Sequence, residues 1–220
     1  MRSLEGALRH GVDALGLVLA DAQIGALLDY MALIQKWTRV YNLTAVRNPE
    51  EMLTHHVLDS LAVIAPLRRQ LHALGLDESV RVLDVGAGAG LPGVVLAICC
   101  PTMTVHCVDT VAKKAAFIQQ AAVGLKLPLL RGIHARVESL TEPYAVVTSR
   151  AFASLADFTQ WSQGALAEQG VWMAMKGKNP EAEMAQLPAQ VAVFHVEPLV
   201  VPGLDAERCI VWMRQAAKPA

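Results

Sequence analysis

The feature that most constrains this chain is a short apolar run that ends in three alternate glycines. Residues 83–93 read LDVGAGAGLPG, and the β-branched residues Val80 and Val82 precede them. Such a run predicts a buried strand, and Pro92 lies where the first turn of a following helix is expected. Glycine allows a tight turn and lets a ligand lie against bare backbone. The run therefore predicts a strand–turn–helix unit that holds a ligand.

The chain after residue 76 alternates strand-like and helical patterns. We predict helices near 94–100, 112–124 and 154–167. Strands are predicted at 80–85, 104–108, 127–130, 144–148 and 170–176, followed by an antiparallel pair at 190–196 and 208–213. Strands that alternate with helices predict an α/β, doubly wound, Rossmann-like fold with a mostly parallel seven-stranded sheet.

The first 75 residues carry no clear strand pattern. Apolar residues recur at three- and four-residue steps from Asp21 to about Trp37, which predicts an amphipathic helix. A polar loop at 41–44 separates it from a second helix that starts at Pro49 and ends near Pro66. We therefore expect an N-terminal helical segment, 1–75, packed on the core of an α/β domain, 76–220.

Composition excludes several classes of protein. Hydrophobic residues make up 54% of the chain and charged residues 18%, which is enough for a sizeable core. The net charge of −1 argues against a globally basic nucleic-acid-binding protein, so RNA would need a local patch. We see no signal peptide and no membrane span, and the cysteines, Cys99 and Cys100 included, read as core residues of a reducing, cytoplasmic compartment.

Two acidic residues at strand ends bear on the ligand. Asp84 suits a cationic group, such as a sulfonium or an ammonium, better than a pyrophosphate. Asp109 ends the next strand and can accept both ribose hydroxyls of an adenosine. Gly88, Gly90 and Gly93 also fit the G-x-G-x-x-G fingerprint, so a nicotinamide-dependent oxidoreductase stays open at this point.

The glycine run resembles the cofactor loop of the ribosomal small-subunit methyltransferase G family, also called glucose-inhibited division protein B. The resemblance covers nearly the whole chain and is weakest at residues 1–20. Further blocks that look like this family are Trp37 with YNLT at 41–44, HVLDS at 56–60, RVE at 136–138, SRAFASL at 149–155 and KG at 176–177.

The resemblance implies methyl transfer from S-adenosylmethionine to N7 of a single guanine in 16S ribosomal RNA. Arg150 would contact the cofactor and position the target base. The other cofactor-binding residues implied are Asp84, Gly86, Gly88, Gly90, Leu91, Asp109 for the ribose, and Val137 with Glu138 for the adenine. The residues expected to face RNA or the cleft are Asn42, His56, Arg136 and Lys176.

Guanine N7 carries a free lone pair, so the reaction needs no general base, and we expect no metal. The base must be unpaired or extruded, because side chains do not enter the deep groove of an RNA helix. Candidates for phosphate contacts are Lys36, Arg39, Arg47, Arg136, Lys176 and Lys178. We expect a monomer that acts on the small ribosomal subunit or its assembly intermediate, and not on DNA. A methyltransferase that acts on a small molecule and an RNA-binding module without catalysis also stay open.

Overall fold

A single seven-stranded sheet organises residues 3–216, which are the residues that the computed structural model describes. The strands are β1 (Arg81–Val85), β2 (Thr104–Asp109), β3 (Leu130–His134), β4 (Tyr144–Arg150), β5 (Leu166–Lys176), β6 (Val191–Leu199) and β7 (Arg208–Gln215). Their order is β3-β2-β1-β4-β5-β7-β6. Strands β1 to β5 pair in parallel, whereas β7 is antiparallel to both β5 and β6. The predicted, mostly parallel sheet with an antiparallel pair at its edge is confirmed.

Helices cover both faces of this sheet and form the N-terminal segment. They are α1 (Leu4–Ala14), α2 (Asp21–Tyr41), α3 (Pro49–Met52), α4 (Asp59–Leu61), α5 (Ile64–Ala73), α6 (Gly93–Cys99), α7 (Ala112–Gly124), α8 (Leu155–Ser162) and α9 (Glu181–Met184). A π-helical turn, Leu53–Leu58, joins α3 to α4. None of the helices within residues 3–216 is long and apolar enough to cross a membrane.

The N-terminal helices share a hydrophobic core with the sheet. On α2, Ile24, Leu27 and Ile34 are buried in the same cluster as residues of β1 and α6. The Tyr30 hydroxyl donates to the carbonyl oxygen of Ala89 at 2.5 Å, which ties α2 to the glycine turn. The predicted helical extension is thus present, while a domain division at residue 75 stays a prediction.

Several predicted boundaries are wrong. The helical segment expected to end near Pro66 continues as α5 to Ala73, and β5 begins at Leu166 instead of 170. Helix α2 continues to Tyr41 instead of ending near Trp37, and α8 stops at Ser162 instead of 167. The third strand is Leu130–His134 instead of 127–130, because Lys126 reverses the chain after α7 with a φ of +55°. Strand β3 lies at the edge of the sheet, and its exposed residues Arg131 and His134 hide it from a search for apolar runs.

Candidate active site

Two adjoining cavities open at the carboxyl ends of the parallel strands, where ligands of open α/β sheets bind. The first, of about 450 Å³, is lined by Val85, Gly86, Val108, Asp109, Thr110, Val111, Lys114, Ala135, Arg136, Val137, Glu138, Phe152 and Trp161. The second, of about 460 Å³, is lined by Val46, His55, His56, Asp59, Arg150, Ala151, Phe152, Met175, Lys176, Gly177, Leu199, Arg208 and Cys209. Phe152 lines both cavities, so a ligand in one lies next to a ligand in the other.

The glycine turn forms one edge of the first cavity. Gly86 and Gly88 have φ of +66° and +60°, a conformation that residues with a Cβ rarely adopt. Gly86 lines the cavity with bare backbone, while the Gly88 amide donates to Asp109 Oδ2 at 3.0 Å. The turn therefore brings the ends of β1 and β2 together around the cavity.

Asp109 places a carboxylate at the edge of the first cavity. Only 5% of the residue is exposed, and its Oδ1 accepts from the Val111 amide at 2.8 Å. Each carboxylate oxygen has two lone pairs, so the two backbone contacts leave capacity for further donors. With apolar walls from Val108 and Val137, the cavity suits a nucleoside whose ribose hydroxyls donate to Asp109.

Asp84 lies behind the glycine turn, outside the residues that line either cavity. Its side chain is fully buried and Oδ2 accepts from the Gly93 amide at 2.8 Å, while Oδ1 has no hydrogen-bond partner. Burial raises the pKa of this carboxyl to about 7. The contact with the Gly93 amide holds the Asp84 side chain behind the turn, and its expected contact with a ligand stays a prediction.

A buried carboxylate between two arginines organises the second cavity. Asp59 is 2% exposed. Its Oδ2 accepts from Arg150 Nη1 at 3.0 Å and its Oδ1 from Arg208 Nε at 2.9 Å. Arg150 Nη1 also donates to the His55 carbonyl oxygen at 2.9 Å. The guanidinium of Arg150 is therefore fixed at the end of β4, with its remaining N–H groups available to a ligand.

Three further residues of the second cavity have constrained geometry. His56 Nε2 lies 2.7 Å from the Thr44 hydroxyl, and burial followed by the charge of Arg150 lowers the pKa of this imidazole. Lys176 Nζ contacts Glu183 at 2.8 Å. Ala151 has a φ of +58°, and non-glycine residues in this region are strained and concentrate at functional sites.

The predicted site residues are only partly brought together. Gly86, Asp109, Arg136, Val137 and Glu138 line the first cavity, and His56, Arg150 and Lys176 line the second. Residues outside both linings are Asn42, Asp84, Gly88, Gly90 and Leu91.

Several of the residues outside the cavities have a structural reason for their position. Leu91 is part of the hydrophobic core. Asn42 is exposed, and it ends α2 with a φ of +50°. The roles expected for Asn42 at the cleft and for Leu91 at the cofactor stay predictions. Arg150 lies in the second cavity, which adjoins the first one at Phe152.

The sequence also missed residues that the structure brings to the site. Asp59 and Arg208 were not predicted, although HVLDS at 56–60 contains Asp59. Phe152 and Trp161 form an edge-on aromatic pair, with ring centroids 5.5 Å apart, at the wall of the first cavity. Within residues 3–216 no group of three His, Cys, Asp or Glu side chains is arranged to hold a metal ion.

Together, the sheet order, the glycine turn and the nucleoside-sized cavity define an S-adenosylmethionine-dependent methyltransferase fold. Dinucleotide-binding folds have the order 3-2-1-4-5-6, without an antiparallel strand between the last two, so the oxidoreductase hypothesis loses its support. TrmN from Thermus thermophilus is similar in fold, with a TM-score of 0.55 at 18% identity over 68% of this chain and 48% of that chain. A methyltransferase from Geobacter sulfurreducens, solved with S-adenosyl-L-homocysteine, gives 0.50 at 12% identity over 70% of this chain and 91% of that chain.

Sequence comparison gives the particular family. A profile described as rRNA small subunit methyltransferase G matches residues 23–211. The protein named ribosomal RNA small subunit methyltransferase G from Albidiferax ferrireducens is 70% identical to this chain over an alignment of 224 residues. The alignment covers 99% of this chain and 100% of that relative. The chain belongs to the rRNA small subunit methyltransferase G family.

The residues of the first cavity fit the cofactor of this family. S-adenosylmethionine combines an adenosine with a sulfonium and an amino acid, and the cavity offers apolar walls and the carboxylate of Asp109. The glycine turn leaves space at Gly86, where an added Cβ would meet only the Phe152 ring, at 3.8 Å. The cofactor is therefore S-adenosylmethionine.

Proposed function

We propose that this protein transfers a methyl group from S-adenosylmethionine to N7 of a single guanine in 16S ribosomal RNA. The observation that carries the proposal is the contact between the two cavities at Phe152, with a nucleoside site on one side and a cation-lined space on the other. The name of the 70% identical relative supports ribosomal RNA of the small subunit as the substrate.

The second cavity suits a nucleophile that needs no deprotonation. Guanine N7 attacks the methyl group with its own lone pair, so no proton is removed from it. Asp59 is engaged by two arginines. In His56, Nε2 is engaged by Thr44 and the unpaired Nδ1 is buried, so neither residue presents an accessible base. Catalysis then comes mainly from holding N7 in line with the methyl group, an effect that contributes up to about 7–11 kcal/mol.

Arg150 is the residue that we propose positions the target base. Its guanidinium is fixed by Asp59 and the His55 carbonyl, and it keeps free N–H groups. An arginine in this state matches the O6 and N7 edge of guanine or a phosphate. Because N7 must react, we assign Arg150 to O6 or to the phosphate of the target nucleotide.

The cofactor contacts follow from the lining of the first cavity. We propose that Asp109 accepts both ribose hydroxyls and that Val137 and Glu138 flank the adenine. Arg136 and Lys176 line the first and the second cavity respectively and are proposed to contact RNA. Asp84 acts through the turn, by holding the Gly93 amide, and is a positioning residue.

The size of the second cavity supports an extruded base as the substrate. Its volume of about 460 Å³ lies in the range of small-ligand sites, and base-modifying enzymes take the target out of its stack. We propose that the substrate is the small ribosomal subunit or an assembly intermediate, and that the protein acts as a cytoplasmic monomer.

The decisive experiment is methyl transfer from labelled S-adenosylmethionine to small subunits that lack this modification. Mapping the label to N7 of one guanine in 16S RNA is the expected result. Arg150→Lys should reduce transfer strongly, while Arg131→Lys, on the distant edge strand, should not. Absence of label on the subunit, with cofactor binding intact, would contradict the proposal and favour a small-molecule substrate.

A further inference from the structure

A third cavity adjoins the second one at the end of α2. It has a volume of about 310 Å³, and the residues that matter for its chemistry are Gln35, Thr38, Arg39, Val46, Arg47 and Met52. Val46 lines both this side cavity and the second cavity, which we assigned to the target base. The two cavities are therefore neighbours, and a nucleotide next to the target base is within reach of the side cavity.

The side cavity carries positive charge that the protein does not neutralise. Arg39 and Arg47 are exposed, and no carboxylate is among the residues that line it. Within residues 3–216, neither arginine lies within 4.0 Å of a carboxylate oxygen. Arg47 Nη2 donates to Asn42 Oδ1 at 2.9 Å, which orders one of the two cations.

A buried hydroxyl group gives a second, independent sign of a ligand. Thr38 lines the side cavity, is 3% exposed, and its Oγ1 has no hydrogen-bond partner. Buried polar groups in proteins are nearly always paired, so an unpaired one calls for a partner. A helical threonine has two accessible χ1 rotamers, so this hydroxyl can turn toward a bound group.

We propose that the side cavity binds the sugar-phosphate of a nucleotide next to the target guanine, an inference that rests on the proposed function. The phosphate lies between Arg39 and Arg47, and the ribose hydroxyl pairs with Thr38 Oγ1. Cations without nearby acids suit a phosphodiester, and the 2′-hydroxyl is the group that distinguishes RNA from DNA. Asn42 acts in this site as a positioning residue, since it orders Arg47.

The test uses the full-length protein and small subunits that lack the methyl group. Arg39→Ala and Arg47→Ala should each raise KM for the subunit several-fold, with kcat within about twofold. Each variant should also lower the slope of log KM against log salt, and the double variant should lower it by about 0.7, the value for one lost phosphate contact on a single strand. Arg131→Ala removes an exposed arginine far from the site and should leave both quantities unchanged.

Thr38→Val tests the hydroxyl separately, because valine keeps the shape of threonine. The expected result is a higher KM for the subunit with unchanged affinity for S-adenosylmethionine. If the wild-type protein methylates guanine N7, the inference is overturned by an unchanged salt slope in both arginine variants or by an unchanged KM in Thr38→Val. If the wild-type protein does not methylate the subunit, the proposed function is overturned, and this inference fails with it.

Discussion

The buried carboxyl of Asp84 makes the stability of this protein depend on pH. Its pKa is raised from an ordinary 3.8 to about 7, first by burial, so the folded protein keeps the proton over a range where the unfolded chain releases it. The contribution of the protonated Asp84 carboxyl to the free energy of unfolding is therefore fully present below pH 3.8, and it is lost as pH rises through about 7. The loss amounts to about 4 kcal/mol, at 1.36 kcal/mol per pKa unit.

Asp84→Asn removes this titration while keeping an oxygen that can accept from the Gly93 amide. The free energy of unfolding of the variant minus that of the wild-type protein should increase as pH rises, by about 3 kcal/mol between about pH 5 and pH 8. Urea unfolding without ligand, at several pH values, measures the difference. Gln160→Asn, at an exposed position of α8, exchanges no titratable group; it is the control and should give a difference that does not change with pH. A difference that is equally flat for Asp84→Asn would refute the assignment of a protonated carboxyl.

Three other predictions concern the site and its support. Asp109→Ala should raise the dissociation constant of S-adenosylmethionine about 10- to 100-fold in calorimetric titration, since a hydrogen bond to a charged group contributes about 1.5–3 kcal/mol; unchanged affinity would remove Asp109 from the ribose. Asp59→Ala should lower the free energy of unfolding by about 3 kcal/mol, because two partly buried arginines lose their shared partner, and a loss no larger than that of Glu142→Ala at the surface would contradict this. Gly93→Ala should cost about 1–3 kcal/mol in the same urea assay, because the new Cβ meets Cys107 Sγ and lies 2.9 Å from Asp84 Oδ2; a neutral result would mean that the turn relaxes.

The sheet was predictable because its central strands are buried on both faces. The runs at 80–85, 104–108 and 144–148 are mostly apolar, and each corresponds to a strand of the structure, β1, β2 and β4. The edge strand β3 was misplaced because Arg131 and His134 are exposed, which removes the apolar signal. The pattern of apolar residues therefore identifies buried strands, and it fails to identify a strand such as β3 that carries exposed side chains.

The second cavity was harder to predict because its parts are far apart in the sequence. Asp59 meets Arg150 across 91 positions and Arg208 across 149. One signal was available for Arg208: it begins the run at 208–213, which was predicted to be antiparallel. The first residue of an antiparallel strand lies at the same sheet edge as the last residues of its parallel neighbours, and Cys209 indeed pairs with Lys176. The π-helical turn that carries His55 and His56 left no such signal.

Two parts of the chain are additions to the parallel nucleoside-binding sheet, the N-terminal helical segment and the antiparallel strand β7. Both contribute residues to the second cavity. The N-terminal segment contributes Asp59 and the His55 carbonyl, and the antiparallel strand β7 contributes Arg208. Asp59 and the His55 carbonyl hold Arg150 at the end of β4, and Arg208 holds Asp59 from its other oxygen. Positive charge moves from sulfur to the purine ring during methyl transfer, so a free carboxylate beside the sulfonium would stabilise the ground state more than the transition state. Asp59 avoids this effect because two guanidinium groups already neutralise it, and what remains in the second cavity is a rigid set of donors for the substrate.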